Sequence, residues 1–244
     1  MSDHRNIPES RRRAARTVGV ALVALLAVGL GGCDWNPKKH VVIPTALPIT
    51  APDDEGPVVT VSQDVQGFHA VSLVGVGTVF IRHGGAESLT ITAGELMIPY
   101  LSARVSGGTL ILESDLPNGI QSTATIIFTV TVRDLDRVEL AGVGAIDVEG
   151  IDAPAFLASL SGAGSIRAAG RVDRQEVLVS GTGSYAGEDL ASRTTNVHIT
   201  GINTAVVRVS ERLEGFVAGL CVLEYYGDPV VAITGNGTVR RLGP

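Results

Sequence analysis

The chain has only two cysteines in 244 residues, Cys33 and Cys221. They allow one bridge at most, and the anchor argued below takes Cys33, so Cys221 is left alone and stability must come from packing. Phe, Trp and Tyr together make up only 4% of the residues. That points to a narrow core filled by aliphatic residues. Lysine occurs only at positions 38 and 39. The one long apolar run, Val18–Leu30 (VGVALVALLAVGL), is too short to span about 30 Å of hydrocarbon at about 1.5 Å per residue.

What is present at the N-terminus has a recognisable order. Arg11, Arg12, Arg13 and Arg16 precede the apolar run, and Leu30-Gly31-Gly32-Cys33 follows it. A basic start, an apolar stretch and small residues make a secretory signal peptide. The last four residues resemble the lipobox of bacterial lipoproteins. The resemblance implies a diacylglycerol on the Cys33 thiol, cleavage before Cys33 and acylation of the new amino terminus. Several acyl chains, at about 0.8 kcal/mol per buried methylene, make a permanent anchor.

Residues 1–32 are therefore expected to be a lipoprotein signal peptide, and 33–57 a lipidated tether with prolines at 37, 44, 48, 52 and 57. Residues 58–244 form the domain. Trp35 could sit at the headgroup level, although a lone tether Trp is as often idle; Lys38 and Lys39 could touch anionic headgroups, but a solvated linker is the better reading of them. The whole chain has 19 basic and 25 acidic residues; without the five arginines and two acids of residues 1–32, 14 and 23 remain, a net charge of −9. Nucleic acid is excluded as a partner on that balance. The implied partner is the membrane, through the anchor, and the address is the bacterial cell envelope, with the domain facing the periplasm or the exterior.

Repetition dominates the domain. Gly-x-Gly-x-apolar occurs at Gly75, Gly142, Gly162, Gly181 and Gly235, with degraded copies at Gly201, where Asn203 replaces the second glycine, and at Gly219, where Cys221 does. From Gly142 onward the first glycines are spaced by 20, 19, 20, 18 and 16 residues. Asn tolerates positive φ best among the non-glycine residues; nothing in the sequence accounts for Cys221. Two and four residues before these glycines stand Leu140/Val138, Leu160/Ala158, Val179/Val177, Ile199/Val197, Val217/Gly215 and Ile233/Val231. This is the period of two of a strand with one buried face.

Each period predicts one coil of an all-β solenoid: a strand, a glycine corner, a second strand and a return. Gly75 precedes Gly142 by 67 residues, room for three further periods, with Leu89/Ile91, Leu110/Leu112 and 125–132 as their strands. The total predicts about nine coils of ~20 residues around a narrow Val, Ile, Leu and Ala core.

With Gly67-Phe68-His69-Ala70-Val71 leading into Gly75-Val76-Gly77, the Ser-Gly-x-Gly corners at Ser161 and Ser180, and Tyr225-Tyr226-Gly227-Asp228-Pro229 before Gly235-Asn236-Gly237, the region from Val59 to Leu242 resembles the GIN-domain family (DUF2807) of bacterial adhesin head domains. The resemblance implies a right-handed parallel β-helix-like fold on an envelope protein. It brings no functional residues with it.

The corners lack the third glycine of a dinucleotide fingerprint and no helix pattern follows them. Thr78, Ala145, Ser165 and Ser184 stand where calcium β-rolls need aspartate. Seven residues beyond the first glycines lie Glu149, Ala169, Glu188, Arg208 and Tyr226. Stacked, Glu149 and Glu188 would be about 9 to 10 Å apart, at the edge of an inverting carboxylate pair. His69, His83 and His198 lack metal-ligand spacing, and Ser161 and Ser180 lack a base beside them. No catalytic, cofactor or metal residue is assigned. Phe216, Tyr225 and Tyr226 are the one aromatic concentration, open to two roles: a patch for an envelope glycan or protein, or a cap over the last coil.

The expected function is a lipid-anchored, non-enzymatic binding, adhesion or scaffold module; the alternative is a polysaccharide-active enzyme of the β-helix type. The anchor is tested by membrane fractionation. Wild type is expected in the membrane and Cys33→Ser in the soluble fraction, whereas equal partition refutes the anchor.

Overall fold

The computed structural model describes residues 56–115 and 126–243. The expected signal peptide, Cys33, Trp35, both lysines and nearly all of the expected tether lie outside the described residues. Apart from one 3-10 turn, Ile98–Tyr100, the described elements are strands. In chain order they are β1 Val58–Gln63, β2 Ala70–Leu73, β3 Val76–His83, β4 Ser88–Gly94, β5 Leu101–Ser106, β6 Thr109–Ser114, β7 Ile127–Val132, β8 Arg137–Leu140, β9 Val143–Leu160, β10 Ala163–Val179, β11 Thr182–Ile199, β12 Ile202–Val217, β13 Leu220–Tyr226, β14 Val230–Thr234 and β15 Thr238–Gly243. No helix among the described residues is long and apolar enough to cross a membrane.

The fold is a β-solenoid. β9, β10, β11 and β12 are each a full coil, stacked in parallel, and β13 and β14 pair with successive parts of β12. The repeat positions align in register: Gly144, Gly164, Gly183, Asn203 and Cys221 form one column. The inward column predicted from period two is buried at Val138, Leu140, Ala158, Leu160, Val177, Val179, Val197, Ile199 and Val217. Val231 and Val239 in the last coil are 40% and 37% exposed, because among the described residues nothing stacks beyond them.

The coil number is about five rather than the nine expected. The residues between Gly75 and Gly142 do not run on as three successive coils. Instead β2 and β3 pair directly with β8 and β9 on one side, and with β6 and β7 on the other. Beyond that layer β4 and β1 are added antiparallel, and β5 lies antiparallel to β6. The chain therefore spends those residues on building out one end of the stack, and the Gly75 corner touches the Gly142 corner despite the separation in sequence.

Close approach explains the glycines. A Cβ at Gly144, Gly164 or Gly183 would lie 1.8 Å from the carbonyl oxygen of Gly77, Gly144 or Gly164 in the preceding coil. The first glycines approach just as closely, with 1.8 to 1.9 Å at Gly142, Gly162 and Gly181. Their carbonyls accept the N–H of the residue after the next coil's first glycine: Gly75 O from Val143, Gly142 O from Ala163 and Gly162 O from Thr182, at 2.9, 3.0 and 3.1 Å. At Gly201 and Gly219 the corresponding clearance opens to 2.6 and 2.7 Å. Side chains use that room. Asn203 Nδ2 donates to Gly181 O at 3.0 Å, and the Cys221 thiol to Gly201 O at 3.4 Å. Cys221, unaccounted for in the sequence, thus fills a looser corner.

Gly164→Ala is expected to lower stability by about 2 kcal/mol or more, since the added methyl must push two coils apart. Gly85→Ala, where a Cβ would meet nothing within 4 Å, should stay within about 0.5 kcal/mol of wild type. Urea unfolding of the two variants measures the contrast.

Candidate ligand-binding face

About half a coil beyond the glycine corners, the strands turn a second time. On β10 the inward residues are Val172 and Gln175, separated by the exposed pair Asp173 and Arg174. Two successive outward residues break the alternation, and this turns the coil. On β11 the same bend carries Arg193 and Thr194 between buried Ser192 and Thr195; on β12, Ser210, Glu211 and Arg212 stand between Val209 and Leu213. Extra residues here appear as register shifts between β11 and β12.

Three clefts share lining residues along this bend. The largest, about 610 Å³, includes Arg171, Asp173, Ala191, Arg193, Arg208 and Asp228. One of about 350 Å³ contains Asp173, Arg174, Arg193 and Thr194. The third, about 410 Å³, adds Arg137, Glu176, Asn196, Arg212 and Glu214. Several charges are already matched. Arg193 lies 2.9 Å from Glu211 and 3.9 Å from Asp173; Arg212 is 3.5 Å from Glu214, and Arg241 3.3 Å from Asp228. Arg208 is held differently. Its Nε donates to Glu188 O at 2.7 Å, and its guanidinium carbon lies 4.8 Å over the Tyr226 ring. Exposed pairs of this kind contribute at most about 1 kcal/mol each, so the face is not explained by stability.

Beneath the clefts runs a polar chain inside an otherwise apolar core. Gln175 Nε2 donates to the Tyr185 hydroxyl, Thr195 Oγ1 donates to Gln175 Oε1 at 3.2 Å, the Ser192 and Thr195 hydroxyls are 2.8 Å apart, and Ser192 Oγ donates to Arg208 O at 2.9 Å. It ties three coils together directly below the bend. Burial pushes the Tyr185 pKa well above the ordinary tyrosine value; the Gln175 hydrogen bond opposes the shift and the Glu188 charge adds to it.

The residues singled out in the sequence are dispersed. Glu149 pairs with Arg82 at 3.5 Å. Glu188 sits in the bulge where Gly187 and Ala191 oppose Val207 and Arg208, and Ala169 opposes Asp189 instead of Glu188. The assumed column of the two glutamates is therefore broken, and Glu188 Oε2 is buried without a hydrogen-bond partner. Phe216 is partly exposed and stacks on His198 with ring centroids 5.4 Å apart. Tyr225 packs against the core, while Tyr226 lies under Arg208, so the three aromatics do not form one patch. Ser161 and Ser180 donate their backbone N–H groups to Leu140 O and Leu160 O of the preceding coil, at 3.0 and 2.9 Å. Among the described residues no group of three or more His, Cys, Asp or Glu is placed to hold a metal.

The arginine-lined bend escaped the sequence reading. Its signal was the recurrence of Arg174, Arg193 and Arg212 at 19-residue steps, one per coil.

Tyr185 sets a pH prediction. Its folded pKa is raised, so above about pH 10 the unfolded state loses a proton that the folded state keeps. The stability present below about pH 10 should fall as pH rises further. In Tyr185→Phe that slope should flatten, with a loss of about 1 to 3 kcal/mol at neutral pH from the unpaired Gln175 amide. Urea unfolding across the alkaline range reads both.

No curated protein matches the chain. It is similar to a solved structure of a "putative adhesin" from Bacteroides fragilis NCTC 9343, with 17% identity and a TM-score of 0.61 over 76% of this chain and 97% of that one. A "putative adhesin" from Parabacteroides merdae ATCC 43184 is 16% identical over 77% and 97% of the two chains, with a TM-score of 0.46. The family described as "Putative auto-transporter adhesin, head GIN domain" matches residues 67–229, most of the solenoid from the strand before its first glycine corner to the turn after β13. On that coverage the chain belongs to the GIN-domain family of adhesin heads.

Proposed function

We propose that the protein is a non-enzymatic, lipid-tethered binding module of the bacterial envelope, and that the bend carrying the three clefts is its ligand-binding face. The observation that carries this reading is the continuity of that face. Outward residues from β10, β11 and β12 line connected clefts, and they are held by in-register coils and by the polar chain beneath. A ligand meeting this surface would find guanidiniums, carboxylates, amides and hydroxyls. Such a mixture suits a polar polymer better than an apolar peptide. The adhesin family name supports binding as the activity, and the lipobox at Cys33 supports an anchor that holds the solenoid at a membrane by its tether.

The test is retention of the full chain on immobilised envelope glycans and peptidoglycan, followed by an assay for released product. Retention without turnover is expected. Turnover that disappears in Glu149→Gln or Glu188→Gln would replace this reading with the polysaccharide-active enzyme.

A further inference from the structure

The register of the largest cleft places Asp152, Arg171, Ala191, Arg208 and Tyr226 in one column across successive coils. Ala191 is the short rung between two arginines. With about 4.8 Å per coil, Arg171 and Arg208 are about 10 Å apart at their backbones, and the alanine leaves a notch between them. We propose that this notch binds an oxyanion, carboxylate or phosphate, carried by an acidic polyhydroxylated polymer. The inference rests on the binding-module reading and names the ligand chemistry of its face.

Arg208 is prepared for such a ligand. Its Nε is committed to Glu188 O and its plane lies over Tyr226, so its rotamer is fixed before binding. Its terminal N–H groups have no acceptor among the described residues. A guanidinium fixed in this way loses less conformational freedom when it engages a planar oxyanion.

Arg171 is exposed, and among the described residues no carboxylate lies within 4.0 Å of it, Asp152 in the neighbouring rung included. The acids of the same cleft are occupied: Asp173 pairs with Arg193 and Asp228 with Arg241. Among the residues lining this cleft, three arginines, Arg171, Arg193 and Arg208, stand against two aspartates, Asp173 and Asp228, on a domain whose overall charge is negative. A polyanion is repelled at long range and gains only where these guanidiniums are presented, which favours a local site over diffuse adsorption. Arg174, three residues along β10 from Arg171, opens into the next cleft with Arg137. Among the described residues neither has a carboxylate partner within 4.0 Å, so a second anionic group of the same polymer would find a second station.

Binding of the detergent-solubilised full chain to fluorescent polygalacturonate, poly(glycerol phosphate) and dextran, at physiological salt, tests the proposal. At least one acidic polymer should bind and dextran should not; which acidic polymer binds distinguishes carboxylate from phosphate. Arg171→Gln and Arg208→Gln should each weaken binding about tenfold. Ala191→Glu, which fills the notch with a like charge, should abolish it, while Arg104→Gln, altering a pair with Glu113 on β5 and β6, should change nothing. If Arg208→Gln unfolds, Arg171→Gln and Ala191→Glu decide. Acidic-polymer binding indifferent to those two variants overturns the proposal, as does dextran held equally tightly. Capture of some other envelope ligand without either acidic polymer overturns it and leaves the binding module standing. No retention on any envelope material overturns both.

Discussion

Everything in this solenoid depends on how closely one coil sits on the next at the glycine corner. The carbonyl oxygen of one corner glycine occupies the space where the next coil's glycine would carry a Cβ, at 1.8 Å from that position in the second-glycine column. Three consequences follow from this contact. The coils align in register, the first-glycine carbonyls find their N–H partners, and the inward residues on either side stack without offset. A side chain is admitted only where the spacing relaxes, and there Asn203 and Cys221 donate to the carbonyls that the neighbouring coil offers. The degraded repeats are alternative ways of closing the same corner.

The narrow core sets the second condition. Val, Leu, Ile and Ala fill most inward positions, and each fully buried branched aliphatic contributes about 1.5 to 3 kcal/mol. Beneath the second bend the interior becomes polar, and Tyr185, Gln175, Thr195 and Ser192 satisfy one another. A buried polar group costs free energy unless it is paired. The pairing links β10, β11 and β12 just below the outward arginines, so the surface with the greatest density of chemistry rests on the stretch of core with the most directional bonds. Preorganisation of Arg208 is one outcome, because its backbone carbonyl accepts from Ser192 while its side chain is held by Glu188 O and Tyr226.

The corners and the inward columns were legible in the sequence because both are periodic and local. Glycine spacing marks the stacking distance, and alternation marks the buried face. The charged bend was harder to see. Its residues do not alternate: two or three outward positions follow one another, and bulges between β11 and β12 shift the register. Counting seven residues from each glycine therefore placed Glu149 and Glu188 in one column, whereas the bulge separates them. The same bulge puts Arg208 opposite Ala191, a pairing that no fixed period predicts. The aromatic residues are divided for a related reason, since neighbours in sequence alternate inward and outward: Tyr225 stands opposite Val207 and Tyr226 opposite Arg208.

By itself the sequence determined the class of fold, the coil length and the identity of the corners, since each is written in local spacing or in a short contiguous motif. Tertiary structure decided the number of coils and the candidate site. The strands between Gly75 and Gly142 could have extended the stack or doubled back upon its end, and only long-range pairing, with β2 and β3 taking neighbours on both sides, selected the second. The arginine notch likewise exists only in the folded chain, because its three residues belong to three different coils and meet through a register that the bulges reset.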